Sequence, residues 1–361
     1  MLIDRFVPPK IPFKALNLVE LNAKCGKNFC YAAKGCIALS NIILSFPSIK
    51  SILVPVFICD SVINSIEKLK IKISFYDYES SDLNASIESI STLVNKEKPD
   101  ALLVASMYGN PANLEEIENY CKKNSIIMID DAAQSFGALL NNRYVGTFGD
   151  AGFFSFSPGK STTAHMGAFF WTNGSINIPR RENYLVHKIV YYDYIYNRHY
   201  HNFIIKNTLS KFFSAIKRAA LKLSTLRNDS ISKFEERILG GVLYCIFSNE
   251  YKYRTKYITR FNEKFRVNKF FIPITSIRGN SVQHKFVLKF FDQDISNKFI
   301  IFLKTKNIYS QYGYLITKTF DEIHTPNVFN DQKKIVEIPI ENDELKMDYL
   351  FRCVKEFCSN E

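Results

Sequence analysis

The sequence predicts an α/β fold, a large and mostly parallel mixed sheet followed by a smaller C-terminal α+β lobe. Three observations carry this. Through the first half, short apolar runs alternate with helix-length runs, the pattern of strand-helix-strand units. Most of the strand-like runs, Ala101–Ala105 (ALLVA) above all, are continuously apolar instead of alternating, as strands buried on both faces are. The chain has 361 residues and is 47% hydrophobic, enough for one large core and a second, smaller one.

Taken in order, Gly35–Leu44 reads as a helix and Ser51–Val54 as the strand after it. Helical Ser61–Leu69 precedes strand Ile71–Tyr76, and strand Ala101–Ala105 follows. Helix Leu114–Lys123 puts Leu114, Ile117 and Cys121 on one face, and strand Ser125–Asp130 comes next. Gly152–Phe156 and Gly167–Thr172 read as two further strands. Residues 180–235 differ: Phe203, Leu209, Phe213, Ile216 and Ala220 recur at helical spacing among lysines and arginines. That stripe is expected to pack on its own protein or on a partner subunit; the alternative is a helix lying on an anionic membrane. A long helical pattern runs from Glu235 to about Phe265. Strand Lys285–Phe291, helix Ser296–Lys304, strand Ile335–Ile340 and helix Asn342–Phe357 complete the C-terminal lobe. The expected division is a large domain at 1–235 and a small one at 236–361.

Composition narrows the function. No run approaches the roughly 20 apolar residues of a membrane span, and the N-terminus lacks a signal-peptide layout. The eight cysteines form no CxxC pair and sit in apolar segments, which points to reduced thiols in a cytoplasm and to no metal site. The net charge of +12 comes without any nucleic-acid-binding motif, so an anionic small substrate is the expected partner and nucleic acid is not.

The chemistry concentrates around Lys160. An acidic residue, Asp131, closes one strand, a Phe- and Ser-containing strand ending near Ser155 follows, and Lys160 stands on the next turn. This suits pyridoxal phosphate, which needs a lysine for a Schiff base, a carboxylate at its pyridine nitrogen, and hydroxyl or backbone N–H groups for its phosphate. In alternating α/β sheets such ligands collect where strands end and helices begin. Gly35 opens a helix, which suits an anion on physical grounds. Strand alternation puts Asp130 opposite Asp131, so Asp130 is read as a structural carboxylate. His165 and His324 are read as structural or exposed more than as substrate contacts.

Residues Ile129–Asn173, IDDAAQSFGALLNNRYVGTFGDAGFFSFSPGKSTTAHMGAFFWTN, resemble the D-A-A-Q, G-x-x-G-x-F-G-D and F-S-F-x-x-x-K elements of the DegT/DnrJ/EryC1/StrS sugar aminotransferases, in order and spacing. Lys34–Leu39 stands where that family has S-G-T-A-A-L, Val54–Phe57 resembles its V-P-x-F, Met107–Pro111 its L-Y-G-x-P and Ile338–Ile340 its late L-P-I. The resemblance implies the aspartate-aminotransferase-like (fold type I) architecture and a homodimer. It implies transamination of a nucleotide-diphosphate keto sugar for surface-glycan (O-antigen type) synthesis, with glutamate as donor and 2-oxoglutarate as product. It further implies that Lys160 is the Schiff-base lysine and proton shuttle, that Asp131 pairs with the pyridine nitrogen, that Gln134 lies by the phenolic oxygen and that Ser155 binds the phosphate. The family often adds an Asn from the other subunit to the phosphate, and Asn228 is the best candidate for it. Three places depart from the pattern: Cys36 replaces a phosphate-binding Thr, Cys59 replaces an aromatic that stacks on the cofactor, and His165-Met166-Gly167-Ala168 stands where the family has G-E-G-G after the lysine. The other readings of the same fold are a sugar dehydratase and a catalytically weak regulatory homologue.

Overall fold

The structure, a computed structural model, describes residues 1–3, 12, 14–157, 159–162, 164, 167–176, 233–314 and 324–360. The basic stripe at 203–223, Asn228 and His165 lie outside these residues.

The first part of the chain runs α1 (Leu18–Cys25), β1 (Cys30–Ala32), α2 (Gly35–Leu44), β2 (Ser51–Pro55), α3 (Asp60–Lys68), β3 (Lys72–Tyr76), α4 (Ile87–Glu97), β4 (Ala101–Ala105), α5 (Leu114–Lys123) and β5 (Ile127–Asp131). A small hairpin follows, β6 (Leu139–Leu140) with β7 (Arg143–Tyr144), then β8 (Ala151–Ser155) and β9 (Ala168–Thr172). Seven of these strands form one sheet in the order β1-β9-β8-β5-β4-β2-β3. The pairings from β3 across to β8 are parallel, and β9 runs antiparallel to both β8 and β1. The expected mostly parallel mixed sheet is therefore present. Strands β4 and β8 are buried at every position, which is why they read as continuous apolar runs. One face carries a core with Leu102, Val104, Met128, Phe154 and Phe156; the other carries Ile52, Val54, Leu103, Ile129 and Phe153. Burying one such side chain is worth ~2 kcal/mol.

The second part runs α6 (Lys233–Phe247), α7 (Lys252–Phe265), β10 (Phe271–Ile274), β11 (Lys285–Phe290), α8 (Gln293–Thr305), β12 (Gln311–Tyr312), α9 (Pro326–Asp331), β13 (Ile335–Pro339) and α10 (Glu344–Asn360). Its four strands form an antiparallel sheet, β10-β11-β13-β12. Phe261, Phe286, Phe299, Phe351 and Phe357 fill the core between that sheet and its helices.

Some element boundaries differ from the expectation. The single long helix expected over Glu235–Phe265 is two helices. Asn249 takes a left-handed φ of 60° and the Glu250 N–H bonds back to the Cys245 carbonyl; a short polar side chain tolerates that conformation. Strand β5 begins at Ile127 rather than Ser125, because Ser125 has a left-handed φ of 56°. Helix α8 begins earlier than Ser296, since the Asp292 carboxylate accepts the Ile295 N–H and caps it.

Candidate active site

Four neighbouring parallel strands, β2, β4, β5 and β8, end at one edge of the large sheet. Their carboxyl ends and the loops beyond them open onto a cavity of about 720 Å³. Ligand sites of open α/β sheets lie at such ends. Period-two alternation decides what faces the cavity. Along β8 and just past its end, Phe153, Ser155 and Ser157 line it, while Phe154 and Phe156 point into the core on the other face. Asp131 and Ala133 line it from β5, whereas Asp130 turns away and accepts the Gly146 and Phe148 N–H groups at 2.6 and 3.1 Å.

The two aspartates thus occupy different environments. Asp130 is fully buried, with one carboxylate oxygen unpartnered among the described residues. Burial, opposed by those two N–H groups, pushes its pKa up to about 7. Asp131 is pushed up by burial as well, and the Lys160 charge pulls it back. The Asp131 Oδ1 accepts the Ala133 N–H at 2.9 Å, which orients the carboxylate.

Helix α2 reaches the cavity with its N-terminus, and Lys34, Gly35 and Cys36 line the wall there. Its N-cap, Lys34, makes no side-chain cap bond, and its first turn holds no acidic residue, so this end is open to an anion. Gly35 permits the approach: a Cβ there would lie 2.9 Å from the Ser155 Cβ and 3.0 Å from its Oγ. The Ser155 Oγ in turn donates to the Ser157 Oγ at 3.4 Å. A helix end and two hydroxyls converge on one spot, a cradle that fits a phosphate. Cys59 also lines the cavity, its Sγ 3.2 Å from the Ser61 Oγ.

The structure therefore brings Gly35, Cys36, Cys59, Asp131, Gln134, Ser155 and Lys160 to a single cavity. Gln134 is held at both ends of its amide: Oε1 accepts the Tyr108 N–H at 3.2 Å and Nε2 donates to the Tyr314 hydroxyl at 2.7 Å. His324 is elsewhere, its Nε2 3.3 Å from the Lys96 Nζ.

The far wall holds residues that sequence reasoning missed. The Glu337 carboxylate on β13 accepts from the Tyr108 hydroxyl at 2.7 Å, the Lys285 Nζ at 2.7 Å and the Gln311 Nε2 at 2.8 Å. Lys285, Gln311, Glu337 and Tyr314 all line the cavity. A signal was present: Glu337 is the one charge inside the otherwise apolar strand Ile335–Pro339, and Lys285 opens the strand run Lys285–Phe290. The two strands pair in register there, with Lys285 opposite Pro339 and Val287 opposite Glu337. Burial together with the Glu337 charge drives the Tyr108 phenol well above its ordinary pKa, so it remains a donor.

Known structures share this architecture. A DegT DnrJ EryC1 StrS aminotransferase from Brucella abortus matches with a TM-score of 0.69 over 94% of this chain and 89% of that one, at 17% identity. The E. coli GDP-4-keto-6-deoxy-D-mannose-3-dehydratase with bound hydrated PLP matches at 0.65 over 93% and 90%, at 16% identity. At such identities the likeness is one of fold. By sequence, a GDP-perosamine synthase of Vibrio cholerae is 29% identical over 129 residues, 36% of this chain and 35% of that enzyme, so the match spans about a third of the relative's length. The profile of one family matches residues 19–223, more than half of the chain. By that match the chain belongs to the DegT/DnrJ/EryC1/StrS aminotransferase family, whose cofactor is pyridoxal phosphate.

Proposed function

We propose that this chain is a pyridoxal-phosphate-dependent aminotransferase that acts on a keto sugar carried by a nucleotide diphosphate, with glutamate as amino donor. The observation that carries the reading is Lys160 and Asp131 on one cavity with the open, hydroxyl-flanked end of α2. The phosphate would lie against the Gly35 and Cys36 end of α2 and the Ser155 hydroxyl. The Asp131 carboxylate, kept in the cavity wall by the Ala133 N–H, would face the pyridine nitrogen. Gln134, fixed by Tyr108, would offer its amide to the phenolic oxygen. When bound, pyridoxal phosphate supplies an electron sink next to a substrate amine.

The chain's residues have definite tasks around that sink. Lys160 would hold the cofactor, and its amine, once displaced by the incoming amine, would serve as the base at the donor's α-carbon and return the proton on the cofactor side. Asp131 would hold the positive charge of the ring in place through both halves of the reaction. The same residues in the same roles would serve the half-reaction that places the amine on the keto sugar. The basic balance of the chain, +12, favours an anionic nucleotide.

The eight cysteines are all free thiols, which supports a cytoplasmic setting, and among the described residues no helix is long and apolar enough to cross a membrane. The perosamine synthase match supports a GDP-linked sugar as substrate. A homodimer and the Asn228 contact from the other subunit remain part of this proposal.

The test is direct. Purified protein with pyridoxal phosphate, glutamate and a GDP-linked keto sugar should release 2-oxoglutarate in step with an amino sugar. A deoxygenated, amine-free sugar product would instead establish the dehydratase reading, which the fold likeness to the mannose dehydratase makes the natural rival.

A further inference from the structure

The main chain on either side of Lys160 is tied to a different part of the molecule on each side. The Gly159 carbonyl lies 3.2 Å from the His284 Nε2. The Ser161 carbonyl accepts from the Arg254 Nη1 at 2.6 Å. His284 immediately precedes β11, and Arg254 stands in α7. Neither contact belongs to a helix or sheet ladder.

Both side chains are buried, at 7% exposure for Arg254 and 8% for His284. Among the described residues no carboxylate pairs with Arg254. Its guanidinium stacks on the Tyr251 ring at 4.2 Å, with its Nε unpartnered. Burying such a group without an anionic partner is unfavourable, so its 2.6 Å bond to the carbonyl beside Lys160 stands out among the described residues. His284 is similar. Burial and the Lys285 and Arg254 charges hold it neutral. It then has a single N–H, and a carbonyl can only accept, so the proton sits on Nε2 and the Nδ1 is left unpartnered among the described residues. A third tie, the Lys160 N–H to the Ser157 carbonyl at 3.3 Å, closes the turn from within.

We infer that Arg254 and His284 are positioning residues: they clamp the two carbonyls flanking Lys160 and so fix where its amine enters the cavity. This rests on the reading of Lys160 as the reacting lysine. The clamp also connects two walls of the site. Lys285, next to His284 in the chain, holds Glu337 within the far wall, so movement of the start of β11 would displace the lysine turn and the far wall together.

Hydrogen exchange on the full-length protein tests this apart from turnover. Arg254→Met and His284→Leu should each speed exchange of the amides at residues 159–162 about tenfold, while β8 and β11 stay protected. His284→Gln, whose amide can still donate near the Nε2 position, should restore most of the protection, and Arg254→Lys part of it. Both apolar variants should trap pyridoxal phosphate on Lys160 more slowly with borohydride and lower kcat with little change in KM for glutamate. Exchange at 159–162 that matches the unmodified protein in both apolar variants would overturn the clamp. Failure of any form to trap the cofactor on Lys160 would overturn the function proposed above and leave the exchange result to stand.

Discussion

The two walls of the cavity are built by different rules. The wall made by the large sheet uses the ends of parallel strands, where β2, β4, β5 and β8 stop side by side. Its side chains, Asp131, Gln134, Ser155 and Lys160, sit in short contiguous runs of sequence. The opposite wall uses the antiparallel sheet, with Lys285 at the start of β11 and Glu337 in the middle of β13, joined by Tyr108 from the first region. The first arrangement presents groups to a ligand. The second spends most of its polarity on itself, since Glu337 takes three internal hydrogen bonds. The contrast suggests that the first wall carries the chemistry and the second carries shape and stability, and substitutions can break that division.

The largest effect is expected at Lys160. Lys160→Ala should reduce turnover by at least about four orders of magnitude, since attachment and proton transfer disappear together. Thermal stability should change little, and a stable variant with residual activity near normal would place the chemistry elsewhere. Next comes Asp131→Asn, with a loss of roughly a hundred- to a thousandfold in kcat, the scale for removing one preorganised charge partner.

The opposite wall should behave otherwise. Glu337→Ala leaves the Lys285 ammonium and the Tyr108 hydroxyl without their acceptor, and should cost about 3 kcal/mol in a denaturant titration. The pair Lys285→Met with Glu337→Leu should recover much of that stability, because both buried partners are then apolar. If Glu337→Ala instead left stability intact and abolished only turnover, the proposed division of roles would be wrong.

Asp130 offers a sharper contrast with its neighbour. Its folded pKa of about 7 lies above the ordinary 3.8. The folded state therefore holds a proton that the unfolded state releases, and stability falls as pH rises from about 4 to 7. The stabilising contribution is complete below about 4 and gone above about 7. Asp130→Asn should remove that slope, amounting to a few kcal/mol, while turnover stays within about threefold of normal, a change too small for a group that touches the reaction. Urea unfolding at a series of pH values would read it.

How much was legible follows the same contrast. Helices α2 and α5 and strand β4 were readable to the residue, because periodicity and full burial wrote themselves into the sequence. That Asp131, Gln134, Ser155 and Lys160 share one cavity wall was legible for a related reason: strand ends put these groups close together in the chain. Asp130 and Asp131 were separable by alternation alone. The far wall was not readable, since Tyr108, Lys285, Gln311 and Glu337 come together only through tertiary pairing across 229 residues of separation between Tyr108 and Glu337. Helix α4 escaped notice although Ile90, Leu93 and Val94 share its buried face and the Ser86 hydroxyl caps it; its many serines and short run of apolar residues mask the period. The clamp on Lys160 was equally hidden, because a histidine and an arginine acting on backbone carbonyls leave no motif.

The smallest effects concern the two cysteines in the cavity. Cys36→Thr, which restores a strong hydroxyl donor at the end of α2, should tighten pyridoxal phosphate binding by about fivefold. Cys59→Phe should do so by a similar factor through ring stacking. Equilibrium titration of cofactor absorbance would measure both.

One measurement bears on the central claim most directly. The protein is incubated with pyridoxal phosphate, reduced with borohydride, digested and mapped by mass. The account predicts a pyridoxyl group on Lys160, lost when glutamate is added before reduction. The label on another lysine, or no label at all, would contradict it.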